Sequence, residues 1–394
     1  MARKTLKDKA TRNSILMKAH TKHAQIKRPN LGQFGRNEWA ILGTNCSNIQ
    51  QLANEVINKL SPKYQLAYID ADHKSQDENG LDDLPKAMIY TDKIAYHRFD
   101  FQASMETYHY RMWLNEADVI LVNGNHFKAN KQIVVIDPKK TESLSRKLDR
   151  LTDVQAFIMT ENTDDIFDFL KKQIPHHADI PIFRFSEINT ITHFLQEKIT
   201  KNTPTLKGLI LAGGRSTRMG QDKGLIKYFG QPHREYMHKL IAPFCEITYL
   251  SCRPDQATDI GDFPTIQDTF YGLGPMGAIL SAFREDPDAA WLVLACDYPL
   301  MNEATIRQLV DSRNSAQVAT AFKSPHNEFP EPLISVWEPK SYPILLQFLA
   351  QGYACPRKVL INSRVELIDP SQTEVFQNIN HKKEYIEILK TLNI

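Results

Sequence analysis

Between Leu209 and Lys223 the chain reads Leu-Ile-Leu-Ala-Gly-Gly-Arg-Ser-Thr-Arg-Met-Gly-Gln-Asp-Lys, an apolar run that gives way to a glycine-rich, basic turn ending on a lysine. Residues of these types in this order suit a phosphate ligand. Gly213 and Gly214 let backbone N–H groups approach a group that a Cβ would exclude. Arg215, Arg218 and Lys223 add charge where a triphosphate would lie. The pattern is not the Walker loop G-x-x-x-x-G-K-[ST], because the lysine follows Gly214 by nine residues.

Two acids extend the chemistry. The apolar run Trp291–Ala295 leads through Cys296 to Asp297, with Pro299 close behind; a carboxylate at such a strand end can hold Mg²⁺ against an α-phosphate, since Mg²⁺ takes one or two carboxylates plus phosphate oxygens and water. Asp268 precedes a second glycine-rich stretch, Gly272, Gly274, Pro275 and Gly277, that opens a helix. Glycines there permit close approach of a flat base, and a carboxylate suits guanine, whose N1–H and exocyclic amine both donate. Asp268 fits a ribose contact or support of the metal equally well. These parts allow nucleotidyl transfer without a side-chain nucleophile: a phosphate on the acceptor attacks the α-phosphorus in line, and the protein supplies position and charge. No Ser-His-Asp arrangement is spaced for covalent catalysis, and His233, His238, His326 and His381 are read as surface or hydrogen-bonded residues.

The opening motif resembles the LAGG-x-x-x-RMG-x-x-K signature of nucleotidyltransferases that build NDP-sugars and related conjugates. The double glycine and the Asp222-Lys223 pair are most similar to the molybdenum cofactor guanylyltransferases (MobA-like), and the resemblance covers nearly all of residues 206–390. It implies a Rossmann-like nucleotidyltransferase sandwich with a mostly parallel sheet, and transfer of GMP from GTP to molybdopterin with Mg²⁺ as cofactor and pyrophosphate as product. It assigns Lys223, Arg218 and Asp297 to catalysis, Asp297 also to the metal, and Leu211, Ala212, Gly213, Gly214, Lys223, Ser251, Asp268, Gly274 and Gly277 to the nucleotide. Ser251 stands where the family often has asparagine. Other departures are His233 in place of Leu, and His381 and Lys382 in place of Thr-Pro in a closing segment whose Asn378 and Asn380 can touch the acceptor or the metal edge. Phe329–Leu333 is expected to line the acceptor pocket. Two alternatives stay open: a cytidylyl or sugar-phosphate nucleotidyltransferase, whose cytidylyl members read LAAG where this chain has Leu211-Ala212-Gly213-Gly214, and a non-catalytic cofactor-binding adaptor, which the retention of Lys223 and Asp297 disfavours.

The elements that must position these residues alternate along the whole chain. At 394 residues it is long for one domain, and the polar, proline-bearing stretch Lys201–Lys207 divides it into residues 1–203 and 204–394. In the second part, Leu209–Ala212, Ile247–Ser251, Trp291–Ala295, Gln317–Phe322, Leu333–Trp337 and Val365–Ile368 read as strands, and Tyr236–Phe244, Met276–Arg284, Glu303–Ser312, Tyr342–Gln351 and His381–Leu392 as helices. In the first part the strands are Glu38–Leu42, Gln65–Asp70, Val119–Val122, Ile133–Ile136, Ala156–Met159 and Ile182–Phe185, and the helices Asn48–Leu60, Glu106–Asn115, Leu144–Leu151, Asp164–Gln173 and Ile188–Ile199. Both halves are therefore α/β, with ligands expected beyond the carboxyl ends of the strands.

The first half sets Glu38–Gln50 where a strand-loop-helix phosphate loop would lie, yet counting from Gly43 puts Asn48, Ile49 and Gln50 at the second glycine, the lysine and the hydroxyl residue. With Ala117–Gly124, which resembles the Val-Leu-Val-Glu-Gly strand of a molybdopterin-guanine dinucleotide adaptor (MobB-like) with Asn123 in place of the acid, this describes a degenerate P-loop domain or another α/β domain. Such a companion is expected to bind a molybdoenzyme or a cofactor-delivery protein. Residues 1–29 carry nine Lys/Arg against Asp8 and form a basic arm. Asp70, Asp72 and His73, followed by Asp77, Glu78, Asp82 and Asp83, lack metal-ligand spacing and read as a solvated acidic loop. A net charge of +2 and 42% hydrophobic residues carry no bias toward nucleic acid or membrane, and no apolar run spans a bilayer, so a cytoplasmic protein is expected. Five cysteines without a C-x-x-C read as reduced thiols.

Overall fold

The structure, a computed structural model, describes residues 26–72, 88–101, 104–161, 163–213, 222–253, 256, 260–379 and 382–391. The basic arm up to Gln25, the acidic run from His73, and Gly214, Arg215, Arg218, Asn380 and His381 lie outside the described residues.

The first part of the chain contributes β1 (Glu38–Leu42), α1 (Cys46–Leu60), β2 (Leu66–Ile69), β3 (Met88–Asp92), β4 (His97–Phe101), α2 (Thr107–Trp113), β5 (Val119–Asn123), β6 (Lys131–Ile136), α3 (Thr141–Ser145), β7 (Val154–Met159), α4 (Asp168–Gln173), β8 (Ile182–Arg184) and α5 (Ile188–Lys201). Six of these strands form one sheet in the order β2-β5-β1-β6-β7-β8, parallel at every pairing. β1 and β5 are buried along their whole length, as a parallel sheet covered on both faces requires. One face is covered by α1, which buries Ile49, Leu52, Ala53, Val56 and Leu60 along a single stripe, and by α5 through Ile191 and Leu195. The antiparallel hairpin β3–β4 stands apart from the sheet.

The second part continues with β9 (Leu206–Leu211), α6 (His233–Ile241), β10 (Thr248–Cys252), β11 (Thr265–Gln267), α7 (Pro275–Glu285), β12 (Ala290–Ala295), α8 (Glu303–Asp311), β13 (Ala319–Lys323), β14 (Pro330–Trp337), α9 (Ser341–Ala350), α10 (Pro356–Ile361), β15 (Val365–Ile368) and α11 (Lys382–Thr391). Its seven strands run β11-β10-β9-β12-β14-β13-β15. The sheet is mostly parallel, and β14 is the antiparallel exception against both neighbours. Apolar clusters fill both faces, one under α6 and α8 around Met237, Ile306 and Leu309, the other under α7 and α9 around Ile279, Phe283 and Leu345. From β9 the chain builds β10 and β11 on one side and then crosses to β12 on the other. This reversal opens a crevice at the carboxyl ends of β9 and β12, the usual ligand position in open α/β sheets.

Residues that precede the strands of both sheets line a polar cleft of about 510 Å³, on the opposite side from that crevice. Lys340 ties the two parts there: its ammonium pairs with the Asp118 carboxylate and donates to the carbonyls of Glu116 and Ala316, and its own carbonyl accepts from Asn115 Nδ2. Arg36 pairs with Asp288 across the same junction. No helix among the described residues is long and apolar enough to cross a membrane.

Candidate active site

The crevice is a cavity of about 680 Å³, within the range of roughly 300–1,000 Å³ common for small-molecule sites. Its lining includes Leu211, Ala212, Gly213, Lys223, Ser251, Asp268, Gly274 and Asp297. Eight of the residues singled out from the sequence thus converge from four separate segments. β9 ends at Leu211, and the Ala212 N–H still donates to the Ser251 carbonyl of β10 at 3.2 Å, so the backbone enters the loop in sheet register.

Asp297 follows β12 and is largely withdrawn from water. Its Oδ2 accepts from Asn378 Nδ2 at 2.9 Å and lies 4.0 Å from Lys223 Nζ. Its Oδ1, like Asn378 Oδ1, is buried with no hydrogen-bond partner among the described residues. Burial pushes the Asp297 carboxyl above its ordinary range, against the opposing pull of Lys223 and Asn378. A carboxylate oxygen of this kind, on a residue that lines a cavity able to admit phosphate, fits a small divalent cation, for which one or two protein ligands suffice. Among the described residues no group of three or more His, Cys, Asp or Glu could hold a metal by itself. The Ile379 N–H donates to the Asp297 carbonyl at 3.0 Å, fixing the closing segment against the strand end.

Lys223 is held by its neighbour. Asp222 caps the short helical turn Lys223–Leu225, accepting from the Gly224 N–H at 2.9 Å through Oδ1 and from Gln256 Nε2 at 2.9 Å through Oδ2. The Arg253 N–H donates to Gln256 Oε1 at 3.2 Å, and Arg253 Nη1 donates to the Gly213 carbonyl at 2.8 Å. Both described edges of the glycine-rich loop are therefore joined through the segment after β10. Asp222, Arg253, Phe270, Tyr271 and Cys296 also line the cavity and had no assigned role from sequence. The one signal for Arg253 was a charge placed directly after a strand.

Asp268 accepts from Ser251 Oγ at 2.8 Å. Burial raises its carboxyl, opposed by Ser251 and Arg253. Gly274 caps α7 at φ 56, in the left-handed region that favours glycine. Gly277 is different: it does not line the cavity, and a Cβ there would sit 2.3 Å from the Phe270 carbonyl oxygen. Its missing side chain admits the protein's own loop rather than a base. Of the segment Phe329–Leu333, Leu333 reaches the cavity, while Glu331 pairs with Arg357 at 2.9 Å. His233, read as a surface or hydrogen-bonded residue, is fully buried between Tyr228 and Tyr236. His238 does satisfy that reading, with Nε2 3.1 Å from the Thr248 carbonyl.

Residues 208–366 match the family model described as "MobA-like NTP transferase domain". The chain is 37% identical over 185 residues to the molybdenum cofactor biosynthesis bifunctional protein of Synechocystis sp., a match covering 46% of this chain and 53% of that protein. The chain thus spans about half the length of that relative. It is 29% identical over 178 residues to the molybdenum cofactor guanylyltransferase of Pseudomonas putida, covering 43% of this chain and 90% of the relative. Among solved structures, molybdopterin-guanine dinucleotide biosynthesis protein A from Archaeoglobus fulgidus is similar at 21% identity and a TM-score of 0.42, covering 48% of this chain and 98% of that one.

Proposed function

We propose that the chain, whose residues 208–366 match the MobA-like NTP transferase domain model, transfers GMP from GTP to molybdopterin. A terminal phosphate oxygen of the acceptor attacks the α-phosphorus in line, one new P–O bond forms, and the bond to the β-phosphate oxygen breaks to release pyrophosphate. The backbone from Leu211 through Gly214 grips the nucleotide, and Lys223 with Arg218 screens the triphosphate. Asp268, braced by Ser251, meets the guanosine end beside Gly274. Asp297, with Asn378 at its side, would hold Mg²⁺, which when bound neutralises charge building on the phosphate oxygens. The first half of the chain presents a partner, such as a molybdoenzyme or a cofactor-delivery protein, and does no nucleotide chemistry.

The observation that carries this reading is the Asp297 carboxylate beside the cavity, with Oδ1 buried and without a hydrogen-bond partner among the described residues and Oδ2 4.0 Å from the Lys223 ammonium. Acid and base both border the same cavity, so a phosphate and its cation entering there would meet both charges. The test is incubation with each NTP in turn, Mg²⁺ and molybdopterin, following pyrophosphate release. GTP is expected to be the preferred donor. Equal or better turnover with CTP sinks the guanylyl assignment and leaves the broader transferase class.

A further inference from the structure

The loop after β1 stands in the first sheet where the loop after β9 stands in the second: it leaves the carboxyl end of an interior parallel strand and enters a helix N-terminus. It carries a thiol where phosphate ligands would be. Cys46 is the first residue of α1, behind the Asn45 cap whose side chain accepts from the Asn48 N–H at 2.9 Å. Its Sγ lies 3.3 Å from His126 Nε2 and accepts from Asn125 Nδ2 at 3.9 Å, both in the turn after β5. The same His126 Nε2 is 3.9 Å from Asp70 Oδ1, just beyond β2. Three adjacent strand ends, those of β2, β5 and β1, therefore bring a carboxylate and a thiol to one nitrogen of the same imidazole.

Polar groups from two residues converge on the sulfur. Asp70 is fixed by donors on both oxygens, Tyr68 Oη at 2.6 Å and Asn123 Nδ2 at 2.8 Å, so its negative charge is held beside the His126 nitrogen that faces Cys46. Lys147 Nζ donates to Asn125 Oδ1 at 2.8 Å, which turns the amide N–H of Asn125 toward the sulfur and sets an ammonium one hydrogen bond away. The helix N-terminus adds its partial positive charge. Cys46 is only partly covered, whereas Cys252 and Cys296 are buried. Thiols paired with imidazole at helix N-termini are the reactive ones in proteins.

We propose that Cys46 is a nucleophilic thiol that exchanges with small disulfides. His126 takes the thiol proton. The sulfur attacks one sulfur of the incoming disulfide, a new S–S bond to Cys46 forms, the old one breaks, and the departing thiolate receives the proton from His126. The Cys46 sulfur rises from the thiolate to the disulfide oxidation state as the departing sulfur falls from disulfide to thiolate, one S–S bond replaces another, and no further oxidant is needed. The site uses no nucleotide and stands apart from the transferase reading.

The test treats the full chain with glutathione disulfide and follows adducts site by site by peptide mass spectrometry, with the exposed Cys355 as internal reference. Cys46 is expected to be modified, and His126→Gln is expected to slow modification at Cys46 at least tenfold while leaving the rate at Cys355 unchanged. Asp70→Asn, which keeps an oxygen for Tyr68 and removes the charge beside His126, should slow Cys46 several-fold and carries the test if His126→Gln does not fold. Modification of Cys355 with none at Cys46, or a Cys46 rate within twofold of wild type in whichever of the variants fold, overturns the proposal.

Discussion

Replacing Asp297 by asparagine should separate stability from activity in opposite directions. The carboxylate lies 4.0 Å from Lys223 Nζ, a separation worth ~4 kcal/mol at an effective dielectric of about 20. That attraction does not win, because burial raises the Asp297 carboxyl in spite of Lys223 and Asn378. A raised folded-state value means that the folded protein prefers the protonated acid. The group's contribution is then fully present below the ordinary carboxylate range and is lost as pH rises through the folded-state value. At neutral pH an amide escapes that loss, keeps an oxygen to accept from Asn378, and should leave the melting temperature unchanged or higher. Turnover should fall about 10²- to 10³-fold, or roughly 3–4 kcal/mol of transition-state stabilisation, as when a charge or donor aimed at a reacting phosphate is removed. Pyrophosphate release with GTP and molybdopterin reads the second effect. Thermal melts with and without Mg²⁺ and GTP read the first, and the Mg²⁺-dependent rise expected of the wild type should be absent. A folded Asp297→Asn protein within threefold of wild-type turnover at the same Mg²⁺ would refute the metal role, and one that melts several degrees lower would mark Asp297 as structural instead.

Lys223→Ala should lower the same turnover by about 10²-fold with the melting temperature little changed, since the side chain borders the cavity rather than the core. His233, pushed down to about 4 by burial from an ordinary value of 6.5, binds its proton only in the unfolded chain between those values. Stability is intact above pH 6.5 and falls as pH drops toward 4 by roughly 3 kcal/mol, and denaturant titrations of His233→Leu should show that slope removed. A fragment beginning at Pro204 is expected to fold and release pyrophosphate, with a lower melting temperature than the full chain because Lys340 loses Asp118 and Glu116 as partners; a folded, inactive fragment would show that the first half completes the site.

The interior strands were legible because of where they lie. β1, β5 and β12 are buried at every position, so burial writes them as apolar runs, polar only at Glu38 and Asn123 on their ends, that need no partner to be recognised. The hairpin β3–β4 wrote no such run. Its exposure alternates along Met88–Asp92, His97, Arg98 and Asp100 interrupt its second strand, and its turn places Ile94 at φ 67, where a glycine or asparagine would have signalled a hairpin. β14 was found as a strand but not as an antiparallel one, although only six residues separate it from β13, too few for a crossover helix. In the site, acids at strand ends stood out by type and place. The joining role of Arg253 did not, because it depends on the Gly213 carbonyl forty residues away, and spacing could not show that the Phe270 carbonyl packs against Gly277.

The same limit governs the comparison of the two loops. After β9 the chain arrives at Lys223, whose ammonium borders an open cavity and looks across it to a carboxylate. After β1 the position that would hold the equivalent lysine is Ile49, which is fully buried against Leu52, Val56 and the strands of the first sheet. The difference lies in the direction of the side chain as well as in its type. An ammonium placed at Ile49 would enter an apolar core with no acid to meet it, at a cost of several kcal/mol, and would reach no phosphate. The first sheet therefore cannot recover nucleotide chemistry by restoring one residue. Its helix begins with a thiol at the mouth of the loop and turns an isoleucine inward, so whatever it binds there must be recognised by Cys46, His126 and Asp70 rather than by a lysine.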